Sequence, residues 1–203
     1  MDAYRSFAEL SQSEKEDVDF RILIAKRKES ATVIIAPHGG AIEPGTSEVA
    51  KAVAGDDLSL ALFEGIKPQG GNRRLHLTST NFDEPRCVEL VLGAAVVVAI
   101  HGEASTEPSV FLGGRDRILG ARLKTVLKRH GYAVEAHGNT ELHGLSTENI
   151  CNCGTKGAGV QLELSRGLRR TFFRSLTDEG RKEPTDELFR FAAAVRQGLL
   201  SRR

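Results

Sequence analysis

Four side chains in this sequence stand where an α/β protein does chemistry. The apolar run VIIAP is followed at once by His38, and Glu43 comes five residues later in HGGAIEPGT. The run AAVVVAI is followed at once by His101, and a third run, GVQLEL, carries Glu163 near its end. In open α/β sheets ligands bind beyond the carboxyl ends of the strands, so residues just past such runs converge. A spacing of five does not fit one face of a helix, so His38 and Glu43 must meet by looping. Gly39 and Gly40 supply the permissive backbone for that. Two imidazoles and one carboxylate suit a single Zn2+ with the fourth position left to water. Bound zinc lowers the pKa of that water from about 15.7 to roughly 7. A second carboxylate, off the metal, is then wanted as general base, and Glu163 is the candidate.

A metal-activated water of this kind also wants a cation beside it for developing negative charge, and Arg, which pairs with anions bidentately, suits that best. Arg74, Arg115 and Arg166 are the candidates. Arg166 stands three residues after Glu163, and Arg74 precedes LHLTS, whose His76 and Thr78 would alternate onto one face of a strand. His76 is therefore a further substrate-site candidate.

Strands and helices must position these groups. Short apolar, β-branched runs predict strands at 20–26, 31–36, 58–64, 74–78, 94–100 and 160–164. Several are apolar on both faces, as in a covered parallel sheet. Between them, helical patterns fall at 47–54, 84–92, 117–130 and 186–200, with Thr46 expected as a polar cap, Pro85 near a first turn and Gly131 as a stop. Alternation of strands and helices predicts one three-layer α/β domain over 1–203, its mostly parallel or mixed central sheet flanked by helices. Residues 1–17 read as an N-terminal helical arm. The aperiodic stretch 138–159 reads as an active-site loop.

With 203 residues the chain suits one well-filled domain. Its 28 basic and 27 acidic residues give a net charge of +1, which argues against a dedicated nucleic-acid or membrane-surface protein. The longest apolar run, 92–100, falls far short of the roughly 20 residues that cross a bilayer, and MDAYRSFAEL does not resemble a signal peptide. Three Cys fit reduced thiols better than a disulfide framework. These readings predict a cytoplasmic monomer that engages neither nucleic acid nor membrane.

The segments APHGGAIEPGTSEVA, LHLTSTNFDEP, VVAIHG, GGRD and GVQLELSRGLR together resemble the phage-type poly-γ-glutamate hydrolase family, in order from about Ser6 to Arg170. The resemblance implies a zinc carboxypeptidase-like α/β fold. It implies His38, Glu43 and His101 as ligands of one Zn2+, Glu163 as the catalytic carboxylate, and a polyanionic γ-glutamyl substrate. An N-acyl- or N-formyl-glutamate amidohydrolase on the same metal site is the alternative enzyme.

Other readings compete. Cys151 and Cys153 form C-x-C near His137 and His143, half of a structural zinc set; the plain reading is small thiols filling a loop. SRGLRRTFFRS could belong to a polyanion- or nucleic-acid-binding module with stacking Phe172 and Phe173. Set against it, those Phe can pack inward while the arginine stems lie along the surface. His130 reads as a cation at a helix C-terminus. No G-x-S-x-G elbow or P-loop is present.

Overall fold

Among the described residues seven strands, β1 (Phe20–Ala25), β2 (Thr32–Gly40), β3 (Ser59–Gly65), β4 (Val96–Glu103), β5 (Val110–Gly113), β6 (Val134–Glu135) and β7 (Val160–Ser165), form one sheet in the order β1-β3-β2-β4-β7-β5-β6. In this computed structural model, which describes residues 2–200, the strands β3, β2, β4 and β7 pair in parallel. Strand β1 joins antiparallel to β3, and β5 joins antiparallel to β7 with β6 parallel at the far edge. The sheet is mixed around a parallel centre.

Among the described residues seven α-helices accompany it: α1 (Phe7–Ser13), α2 (Thr46–Ala54), α3 (Pro85–Leu92), α4 (Arg117–Arg129), α5 (Arg166–Thr171), α6 (Asp178–Arg181) and α7 (Asp186–Leu200). Strand alternation sends successive side chains to opposite faces. Ile34 and Ala36 of β2 therefore enter a core with Val49 of α2, Leu123 of α4 and Phe191 of α7. Val33 and Ile35 enter a second core with Leu10 of α1 and Val91 of α3. Burial on both faces is why these strands read as continuous apolar runs, and it makes the molecule a helix–sheet–helix sandwich.

Helix ends obey the expected chemistry with one change. The Glu84 carboxylate caps α3 ahead of Pro85, and Asp116 caps α4, which closes before Gly131 at φ 87°. Helix α2 starts one residue earlier than expected, with Gly45 and not Thr46 at the cap. The Thr46 hydroxyl instead donates to the carbonyls of Glu43 (2.9 Å) and His38 (3.3 Å), closing the loop between those two residues.

The strand expected at 74–78 does not form. Asn72–Leu75 is a 3-10 turn, and β3, the strand that precedes it, already has both its edges paired, with β1 and β2. Leu75 and Leu77 still bury completely. Strands β5 and β6, with four and two residues, were too short to show a period. Within 138–159, two 3-10 turns occur, at Thr140–His143 and Ile150–Asn152.

Candidate active site

Three parallel strand ends build the site. Strand β2 carries a register shift between Ala36 and Gly39, which turns His38 out of the ladder. The loop after it returns Glu43 to the ring, with Glu43 N–H donating to the His38 carbonyl (3.0 Å). Gly40 makes the return possible: its φ is +63°, and a Cβ there would lie 2.4 Å from the Gly65 carbonyl oxygen. His101 of β4 lies in register beside Glu163 of β7. Val97 and Ala99 face the α3 side, so alternation places His101 on that side too, and Glu163 likewise.

Around His38 the groups converge closely. Its Nε2–H donates to the Leu77 carbonyl at 2.7 Å, which leaves Nδ1 as the inward atom. That Nδ1 lies 3.1 Å from Glu43 Oε1 and 3.2 Å from His101 Nδ1. His101 Nδ1 is 3.8 Å from Glu43 Oε2. His76 joins from the segment after the 3-10 turn, its ring centroid 4.0 Å from that of His38 and its Nε2 3.9 Å from Glu43 Oε1. Ligand atoms of His38, Glu43 and His76 all fall within 4.8 Å of one another.

Burial and charge drive these groups apart in acidity. Burial would raise Glu43, but the charge and hydrogen bond of His38, the His101 charge and the Gly102 N–H (2.7 Å) outweigh it and hold it at about 2. Burial and the neighbouring Glu43 charge lift Glu163 to about 8. Burial would lower His38, yet Glu43 raises it; burial and the His38 charge bring His101 down to about 3. The Glu163 side chain is 5% exposed, and its Oε1 accepts from Gln161 Nε2 at 2.8 Å.

Beside Glu43 and Gly102 opens a cleft of about 510 Å³ lined by Arg73, Arg166, Arg169 and Arg170. Arg169 is buried, its guanidinium donating to the carbonyls of Leu164, Pro44 and Glu103 at the ends of the site segments. Of the sequence candidates, Arg166 lines this cleft. Arg74 does not; its guanidinium lies over the Tyr4 ring. Nor does Arg115, which donates to the Leu145 carbonyl and borders a separate depression with Asp116 and Arg122. Arg73 and Arg169 were missed because nothing in their spacing marks them. Gln161 was missed as well, although its position two residues before Glu163 on one strand places both on one face.

The competing residues have ordinary roles. Cys151 is buried among the apolar residues of the α3 side, and burial pushes its thiol up to about 12. Phe172 and Phe173 pack inward. His143 Nε2–H donates to the His137 carbonyl within the loop at 2.7 Å. His130 caps α4 beside Gln197. No helix among the described residues is long and apolar enough to cross a membrane.

Clustered imidazoles and carboxylate at the carboxyl ends of the parallel central strands, with a separate buried carboxylate on the next strand, place this protein among the α/β hydrolytic enzymes. The chain belongs to the poly-gamma-glutamate hydrolase family, whose profile matches residues 4–194. It is 36% identical over 197 residues to UPF0714 protein YmaC of Bacillus subtilis (strain 168), covering 96% of this chain and 83% of that protein. It is 36% identical over 199 residues to UPF0714 protein YndL of the same organism, covering 94% of this chain and 77% of that one. In structure it is similar to a bacteriophage poly-gamma-glutamate hydrolase, with TM-score 0.92, 31% identity and coverage of 98% and 97% of the two chains. It is also similar to YNDL in an apo, zinc-free form, with TM-score 0.90, 33% identity and coverage of 98% of each chain.

Proposed function

We propose that this chain hydrolyses the γ-glutamyl amide bonds of poly-γ-glutamate with one Zn2+ held by His38, Glu43 and His101 and with Glu163 as general base. The observation that carries the reading is the geometry of the three donors. With metal–ligand bonds of about 2.0–2.2 Å, tetrahedral ligand atoms sit roughly 3.3–3.6 Å apart. The two imidazole Nδ1 atoms stand 3.2 Å apart, close to that spacing, and the two Glu43 oxygens lie one beside each, Oε1 3.1 Å from His38 Nδ1 and Oε2 3.8 Å from His101 Nδ1. Two imidazole nitrogens facing each other beside an ionised carboxylate form a donor set that suits a cation. The Leu77 carbonyl fixes the tautomer that leaves Nδ1 of His38 free for it.

When bound there, zinc supplies Lewis acidity for the scissile carbonyl and acidifies water near neutral pH. The residues of the chain do the rest. Glu163 Oε2 accepts the water proton and returns it to the leaving amine, while Oε1 stays hydrogen-bonded to Gln161. Arg166, Arg73 and Arg170 orient substrate α-carboxylates in the cleft, and Arg169 holds the Glu43 loop in place through the Pro44 carbonyl. Several arginines lining one cleft with Glu43 favour a polyanionic chain over a single acylated glutamate.

The deciding experiment incubates the purified chain with poly-γ-glutamate and tracks polymer length by size-exclusion chromatography. Shortening is expected, with loss after chelator dialysis and recovery on one equivalent of Zn2+. Full activity in verified metal-free protein would overturn the metal reading, and an unshortened polymer would overturn the substrate.

A further inference from the structure

Asp2 precedes the span matched by the family profile, yet its carboxylate reaches the site. Its Oδ1 accepts from His76 Nδ1 at 2.7 Å, and its Oδ2 accepts from Thr78 N–H (2.5 Å) and Thr78 Oγ1 (2.7 Å). An ionised carboxylate only accepts, so Nδ1 of His76 carries the hydrogen and Nε2 is left bare. That bare nitrogen faces Glu43 Oε1, within the same 4.8 Å set as His38 and Glu43. A carboxylate on the far nitrogen is the arrangement that fixes ring orientation and raises basicity in metal-bound histidines. The chain beyond Asp2 is pinned as well: Tyr4 Oη donates to Glu14 Oε1 (2.7 Å), and Phe7 N–H donates to Asp83 Oδ1 (2.5 Å).

We propose that Asp2 is a positioning residue that holds His76 as an auxiliary nitrogen donor at the metal centre formed by His38, Glu43 and His101. The N-terminal segment is then part of the active site. The inference rests on the zinc reading above, and its test separates the two.

Full-length wild type, Asp2→Ala, Asp2→Glu and His76→Ala are compared by two readouts. Zinc affinity is measured by competition with a chromophoric chelator, and the His76 tautomer by 15N imidazole shifts in metal-free protein. Asp2→Ala is expected to lose the Nδ1–H preference of His76 and to bind zinc about 10–100-fold more weakly, with His76→Ala similarly impaired and Asp2→Glu partly restored. Asp2→Ala in the His76→Ala background should add nothing. Unchanged zinc affinity in Asp2→Ala, with wild type binding normally, overturns this inference and leaves the three-ligand reading intact. Wild-type protein that binds no zinc overturns both.

Discussion

Glu43 and Glu163 share one buried cluster, yet their surroundings push them in opposite directions. Imidazoles and a backbone N–H hold Glu43 ionised at about 2, whereas burial and the Glu43 charge lift Glu163 to about 8. Two carboxylates with separated acidities are suited to different roles, and the proposed mechanism uses Glu43 as a permanent anion for a cation and Glu163 as a proton carrier. Glu163→Gln keeps the shape and the distance from His38 and His101 while removing the proton acceptor. It is expected to retain zinc in metal analysis while turnover falls by roughly 10²–10⁴-fold in steady-state kinetics. At this scale His38, His101 and Glu163 were legible because each closes an apolar run. Asp2 and Arg169 were not, since their partners lie 74 and up to 125 residues away with no pattern joining them; Gln161, two residues before Glu163 on one strand, carried a signal in its spacing alone.

Among the elements, the meeting of β4, β7 and the Glu43 loop depends on a close approach. Gly102 sits against the Arg169 guanidinium, and a Cβ at this position would stand 2.7 Å from Cζ and 2.9 Å from both terminal nitrogens. Arg169 cannot easily yield, because three backbone carbonyls fix it. Gly102→Ala is therefore expected to cost roughly 1–3 kcal/mol in urea unfolding. It should also lower activity, since Gly102 N–H is a hydrogen-bond donor to Glu43. The long strands and the helices α2, α3, α4 and α7 could be read from sequence because their periods run for many residues. The 74–78 segment could not: its alternation is real, but it begins in a 3-10 turn and both edges of the preceding β3 are paired with other strands.

For the molecule as a whole, the charge balance hides a partly buried network. Glu64 at the end of β3 takes Arg21 Nη2 at 2.6 Å and Lys51 Nζ at 3.1 Å. Burial would raise its pKa, but the Arg21 hydrogen bond and the Lys51 charge outweigh that and leave it below the usual carboxylate range. A depressed folded-state pKa adds stability above the unfolded value, near 4.3, and loses it as pH falls through the folded value. Both cations are about half exposed, so the contribution is modest, about 1–2 kcal/mol. Wild type is expected to exceed Glu64→Gln by that amount in denaturant unfolding at pH 7, and the gap should close on acidification below pH 4. A gap that does not shrink at all as pH falls from 7 to 2 would reject the ionic explanation.

The sequence by itself determined the layered α/β class and the strand ends at which His38, His101 and Glu163 stand, because burial on both faces imposes apolar runs and their termini are local facts. It also carried the HGGxIEPGT and QLELS segments by which the family is recognised. Only the tertiary structure decided the rest. The bulge after Ala36 and the left-handed Gly40 bring Glu43 back to His38. The antiparallel β1 and β5 make the sheet mixed, Arg73 and Arg169 take the cleft in place of Arg74 and Arg115, and Asp2 reaches His76. Those outcomes depend on which distant segments share an edge or a cavity. Contacts of that kind are settled by packing in three dimensions, where local residue spacing carries no signal.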